Sequence, residues 1–268
     1  MTRFIRVSSL ITMSVTCCYT AFSQTQQPQT YTRVACVKVR DGKGAEYAAY
    51  LRDVSMKLQK VRVDAGTMNS YIVSQAVSPQ GRTARCDYQL VSVFVGFPPE
   101  AASPEQTTAD MKKAGLTMNR EAMVAKRDDL SYLVSMDTWG MGALVGAPPA
   151  KGSYIRLNIN KVSAGNMGDW QRSVTTGWRP LAEAASKQFG TGWVMAVLVM
   201  PGGSTLPYNA ETIDIYPDWA TLAKGIPART LWNQVHPDSD MSAYTAHGAA
   251  IADRVRIDVY KVVDTISK

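Results

Sequence analysis

Residues 122–138, AMVAKRDDLSYLVSMDT, lie over residues 249–265, AAIADRVRIDVYKVVDT, without a gap. Ala122, Ala125, Arg127, Asp137 and Thr138 match Ala249, Ala252, Arg254, Asp264 and Thr265. The same ending at the middle and at the end of a 268-residue chain marks a duplicated unit. The patterns leading to each copy also follow one order. "YTRVACVKVR" (31–40) and "SYIRLNINKV" (153–162) alternate and are rich in β-branched residues, as strands are. A helical segment follows each. In "GAEYAAYLRDVSMKLQKV", Tyr47, Tyr50, Leu51, Val54, Leu58 and Val61 recur at spacings of three and four, which makes one buried face. In "GDWQRSVTTGWRPLAEAASKQFG", Trp170, Val174, Trp178 and Leu181 do the same. Gly66 and Gly190 close the two segments. Two strands about a turn come next, "MNSYIVSQAV" and "CDYQLVSVFVGF" in the first half, "WVMAVLVM" and "ETIDIY" in the second. Helical sequence (104–129 and 218–252) then leads to the closing strands "LSYLVSMDTW" and "VRIDVYKVV".

Trp170 stands where Tyr47 stands, each directly after an acid, so the tryptophans of this helix are expected in the core and not stacked on a ligand. Pro180 lies within the segment and should bend the helix or begin a second one.

Each half therefore reads β-α-β-β-α-β, the ferredoxin-like unit. Such a unit has an antiparallel sheet with helices on one face, and the other face needs a cover that a second copy can supply. The expected fold class is α+β: two tandem ferredoxin-like units, 31–139 and 153–268, whose sheets pack face to face as an intrachain α/β barrel. Residues 24–30 form a polar N-terminal segment, and "GMGALVGAPPAKG" (140–152) links the units.

This element order, most specifically "VACVKVRDGKGAEYAAYLRDV…AGTMNSYIVS", resembles the dimeric α/β-barrel superfamily, which includes the antibiotic-biosynthesis monooxygenase, EthD and NIPSNAP families. The resemblance covers residues 31–268 at the level of element order. It implies a ligand site between the sheet and its cover, and a small-molecule-binding, monooxygenase-like or isomerase-like protein that needs no cofactor. Some members bind haem through a helical histidine, which makes His247 a remote candidate for that role. The competing expectation is a non-catalytic binding or assembly module whose barrel is filled by side chains.

Strand alternation selects the site residues. With Ile155, Leu157 and Ile159 toward the helices, Tyr154, Arg156, Asn158 and Asn160 face the cover. With Val255, Ile257 and Val259 toward the helices, Arg254, Arg256, Asp258 and Tyr260 do. The fold sets these strands side by side. The expected interior patch is then Arg156, Asn158, Arg256, Asp258 and Tyr260, joined by Asp214 and Tyr216. In one reading the arginines hold a small anionic or enolisable organic ligand while Asp258 or Tyr260 handles a proton. In the other, the charges pair with one another across strands. The first half offers Cys36, Lys38, Arg40 and Ser92 at the corresponding places.

The N-terminus reads as an export signal. Arg3 and Arg6 precede an uncharged, mostly apolar run from Val7 to Phe22, and Ala21-Phe22-Ser23 supplies small residues at the positions a signal peptidase reads. The mature chain is expected to begin at Gln24, in the periplasm or outside the cell, with no membrane span left. Cys17 and Cys18 fall in this segment, but Ser14-Val15-Thr16 suits acylation poorly. Loss of two arginines and no acids lowers the formal net charge from +7 to +5. With no basic run, nucleic acid is not an expected partner. Cys36 and Cys86 remain. They are expected to stay unbonded, because a strand over 86–97 places Cys86 opposite the end of strand 31–40, several residues from Cys36. No cysteine or histidine cluster suggests a metal site. No Gly-x-Ser-x-Gly elbow suggests a catalytic triad, and "PGGS" at 201–204 precedes a strand, not the helix a phosphate loop needs. The sequence leaves the oligomeric state open.

Overall fold

The protein is seen in a computed structural model that describes residues 29–80, 83–203 and 205–268. The expected signal segment 1–23, with Cys17 and Cys18, and the expected start at Gln24 lie outside the described residues. The first unit comprises β1 (Thr30–Val39), α1 (Gly44–Tyr50), a π-helical turn (Leu51–Ser55), α2 (Met56–Asp64), β2 (Ser70–Ser78), β3 (Tyr88–Val95), α3 (Pro104–Lys113), α4 (Arg120–Leu130) and β4 (Ser131–Met141). A short β5 (Val145–Gly146) lies in the linker. The second unit comprises β6 (Tyr154–Val162), α5 (Met167–Ser173), a π-helical turn (Val174–Trp178), α6 (Arg179–Phe189), β7 (Gly192–Met200), β8 (Ala210–Tyr216), α7 (Trp219–Lys224), α8 (Ala228–Val235), α9 (Met241–Ile251) and β9 (Ala252–Ser267). The fold is α+β, and both units have the ferredoxin-like order.

The duplication extends to irregular detail. Each π-helical turn begins four residues after the aromatic that leads its helix, Tyr47 or Trp170. Pro180 directly follows the π-helical turn, and the backbone stays helical through Trp178 and Arg179, so α6 continues the helix and does not restart it. The outer helices start at capping side chains. Ser103 Oγ accepts from Gln106 N at 3.1 Å, and Asn119 Oδ1 accepts from Ala122 N at 2.8 Å.

All strand pairs are antiparallel, in the order β4-β1-β3-β2-β9-β6-β8-β7-β5. β4 also pairs with β7 through Thr138–Met141, so the order returns on itself. The two sheets are thus joined edge to edge at β2–β9 and at β4–β7, as well as facing each other. Outside the strands, Tyr47, Tyr50, Leu51 and Val54 pack on Val37, Tyr71 and Val73. In the second unit Trp170, Val174 and Ala182 pack on Val162, Trp193 and Ala210. Trp170 and Tyr47 are core residues, and Trp178 is partly buried between two helical clusters. Inside lie Cys36, Ile72, Cys86, Ile155, Leu157, Ile159, Tyr260 and Val262, with Val34, Trp139 and Ala196 nearby in the layer. Among the described residues no helix is long and apolar enough to cross a membrane.

Two expectations are corrected. Cys36 and Cys86 form a disulfide, with Cα atoms 5.1 Å apart. The strand begins at Tyr88, opposite Val37, and not at residue 86. The chain leaves the sheet at Asp87, whose carboxylate accepts from Val39 N at 2.8 Å and pairs with Lys38 Nζ at 3.0 Å. Cys86 then folds back over the inner face of β1, reaching a residue that an extended strand would have passed. The second correction concerns β6. Ile155, Leu157 and Ile159 face the interior, opposite Tyr260, Asp258 and Arg256 of β9, and not the helices. The apolar set of this strand therefore marks the interior, and its outer face carries Tyr154, Arg156 and Asn158.

Candidate functional site

That change of face divides the residues expected to meet. Tyr154, Arg156 and Asn158 lie on the outer face, opposite Tyr216, Asp214 and Thr212 of β8. There Arg156 Nε and Nη2 each stand 2.9 Å from Asp214 Oδ2. Asn158 Nδ2 donates to the same oxygen at 2.9 Å and to Thr212 Oγ1 at 3.2 Å. The Arg156 guanidinium covers the Tyr216 ring at 5.6 Å. Burial, and then the Asp214 charge, push the Tyr216 hydroxyl up to about 12. Arg156, Asn158 and Asp214 are therefore joined in a cross-strand network beside the Tyr216 ring. Arg254 leaves the interior set as well, since a register shift places it opposite Asn160.

Arg256, Asp258 and Tyr260 do face the interior, and the structure adds partners to them. Asp258 is 1% exposed; its Oδ1 accepts a very short hydrogen bond from Arg256 Nε. Arg256 Nη2 also reaches the Thr83 carbonyl at 2.9 Å, tying β9 to the loop between β2 and β3. From that loop Arg85 enters the interior. Its guanidinium lies 5.1 Å from the Tyr208 ring centre, and Nη1 is 3.8 Å from Asp137 Oδ2. Tyr208 donates to the same Asp137 oxygen at 2.8 Å. Glu211, at the start of β8, completes the group. It is buried opposite Ile159 and Ala196, and it feels the charges of Arg85, Asp137 and Asp258.

Two arginines and three carboxyl groups are thus gathered inside the strands, and their environments differ. Desolvation pushes the Glu211 carboxyl up to about 7; Arg85 opposes this, while Asp137 and Asp258 add to it. Burial also drives the Tyr260 hydroxyl well above its ordinary range, with Asp258 contributing. Arg85 Nε and Nη1 and Asp258 Oδ2 are buried without a hydrogen-bond partner. Leaving a buried polar group unpaired costs about 1–3 kcal/mol, more when it is charged. The arrangement therefore offers donors, an acceptor and a carboxyl group that changes protonation near neutral pH.

A cleft of about 500 Å³ lies at the β4–β7 seam, lined by Gln29, Gly140, Met141, Gln171 and Met195 among others. Contacts lead from it toward the cluster. Met141 packs with Trp139, Trp139 stacks on Tyr208 at 5.9 Å, and Tyr208 donates to Asp137. His247 is elsewhere. It lies on α9, half exposed, with Nε2 3.2 Å from Asp169 Oδ2. Lys38 is tied up in its ion pair, Arg40 donates to the Asp128 carbonyl, and Cys36 is in the disulfide.

The sequence-based reading missed Arg85, Asp137, Tyr208 and Glu211. Glu211 shares a strand face with Ile213 and Ile215, a pattern that marks a buried acid once that face is known to be internal. Asp137 stands out as one of the identities shared by the two copies. Arg85 and Tyr208 lie in turn-like sequence, and no local pattern distinguishes them.

No family model matches the chain, and no curated protein matches it in sequence. Solved structures do. A "putative monooxygenase" of Fusobacterium nucleatum is similar at a TM-score of 0.55 and 8% identity, over 90% of this chain and 95% of that one. A "putative monooxygenase" of Lactobacillus acidophilus is similar at 0.47 and 8%, over 90% and 99%. A heme-binding protein of Thermus thermophilus is similar at 0.47 and 9%, over 89% and 94%. At that identity the first likeness speaks to the fold alone. The chain shares an α+β fold with that structure, and carries two ferredoxin-like units in one polypeptide.

Proposed function

We propose that this is an exported protein whose barrel interior binds a small organic molecule and moves a proton on it, in a monooxygenase-like or isomerase-like reaction. The observation that carries this reading is the set of buried, unpartnered atoms at Arg85 and Asp258 beside Glu211. A polar core that served stability alone would gain by pairing those atoms internally. Perturbed carboxyl groups next to unsatisfied donors are a common mark of reaction sites. The likeness to a monooxygenase-named structure supports small-molecule chemistry on this fold. Export rests on the N-terminal sequence, and N-terminal sequencing of secreted or periplasmic protein should begin at Gln24.

Small molecules released from the purified chain by denaturation and identified by mass spectrometry test the binding. A stoichiometric organic compound is expected from the natural protein and is expected to be lost from Arg85→Met. The second reading is a filled barrel that acts as a binding or assembly module. The apolar interior around Ile155, Leu157, Ile159, Val91 and Val93 favours it. Absence of any released compound, with wild-type melting unchanged by small hydroxycarbonyl compounds, would decide for that reading.

A further inference from the structure

The unpartnered atoms describe the kind of molecule they would take. Arg85 presents two N–H groups and no acceptor, so the ligand atom meeting it is an oxygen acceptor. Asp258 Oδ2 presents an acceptor at a residue 1% exposed, so the atom meeting it is a hydroxyl or similar donor. The charges describe the ligand too. Arg85 and Arg256 face Asp137, Asp258 and Glu211, with the Tyr208 and Tyr260 rings beside them and Ile159 and Ala196 opposite Glu211. Two cations against three acids leave no excess positive charge for an anion. A neutral molecule fits best.

We propose that this cluster is an enolisation site for small neutral hydroxycarbonyl compounds, with Arg85 receiving the carbonyl oxygen, Asp258 the hydroxyl, and Glu211 the proton from the adjacent carbon. The proposal rests on the small-molecule reading above. In the step, the C–H bond next to the carbonyl breaks and its proton passes to the Glu211 carboxylate. The electron pair forms the C=C bond of the enolate, and the carbonyl π pair moves to the oxygen at Arg85. Return of the proton from Glu211 reverses the sequence, so nothing is oxidised and no co-reactant is consumed. The transfer removes negative charge from Glu211, where Asp137 and Asp258 repel it, and places it beside the Arg85 N–H groups that lack a hydrogen-bond partner. Burial leaves Glu211 able to take up and release a proton near neutral pH, as such a base requires.

The test is deuterium incorporation into hydroxyacetone by the full chain in D₂O, followed by proton NMR. Exchange at least about 100-fold above buffer is expected, the usual scale of positioned acid–base catalysis. Its rate should rise with pH through about 7, as Glu211 becomes ionised. Glu211→Gln should return exchange to the buffer rate while melting cooperatively, and Arg85→Lys should raise KM and lower kcat while keeping the pH profile. Wild-type exchange at the buffer rate overturns the proposal, as does unaltered exchange in Glu211→Gln. If a compound is still retained by the wild-type chain in either case, the small-molecule reading stands and only the enolisation is lost. If none is retained, both fall.

Discussion

Glu211 carries an unusual stability signature. Its folded carboxyl is raised from 4.5 to about 7, chiefly by burial, so between those values the native state holds a proton that the unfolded chain releases. Stability should therefore fall as pH rises through that window and level off above it. The shift corresponds to about 3 kcal/mol. Glu211→Gln keeps the shape and removes the titration. Its melting temperature should exceed that of the wild type at pH 8 and match it near pH 4. Equal differences at both pH values would show that Glu211 is not desolvated. Tyr260 and Tyr216 titrate far above this window and do not contribute to it. The outer pair, Arg156 with Asp214, behaves differently because Asn158 and the Tyr216 ring share it. Its arginine donates to Asp214 on the outer face, apart from the interior cluster.

The loop between β2 and β3 delivers Arg85 to the interior, and the disulfide holds it there. Cys36 and Cys86 are separated by 50 residues, and closing a loop of that length stabilises the chain by about 4 kcal/mol in the chain-entropy account. Cys36→Ala combined with Cys86→Ala should lose stability on that scale. Non-reducing peptide mapping should find the peptides of Cys36 and Cys86 linked. Recovery of both as free thiols from unreduced protein would place Cys86 back on the strand. The paired π-helical turns make a related point about elements. Because each follows the leading aromatic by the same interval, the irregularity belongs to the duplicated unit, and Pro180 was accommodated beside it.

The whole molecule depends on both halves. β2 pairs with β9 over Ser70–Ser78, and β4 pairs with β7 over Thr138–Met141. The interior mixes Cys36 and Ile72 of the first unit with Ile155, Leu157 and Tyr260 of the second. A half chain would expose that inner face and two unpaired edges. Residues 31–139 or 153–268 expressed alone should therefore show no cooperative melting, and mixing the two should restore it. Two independent cooperative transitions would mean that the halves are separate domains.

Element order, the duplication and the buried aromatic stripe of each leading helix were legible because periodicity and self-similarity are local properties of the chain. Arg256, Asp258 and Tyr260 were placed inward by simple alternation on β9, and they are inward. β6 was read with its faces exchanged, because alternation separates the two faces of a strand without saying which of them meets the interior. The disulfide was missed because a turn at Asp87 decides where Cys86 points. Arg85, Asp137, Tyr208 and Glu211 come from a loop and strands far apart in sequence. The sequence by itself determined which elements form and in what order. Only the closing of the strands upon themselves decided which side of each is inside, because a side chain's surroundings there belong to the opposite half of the chain.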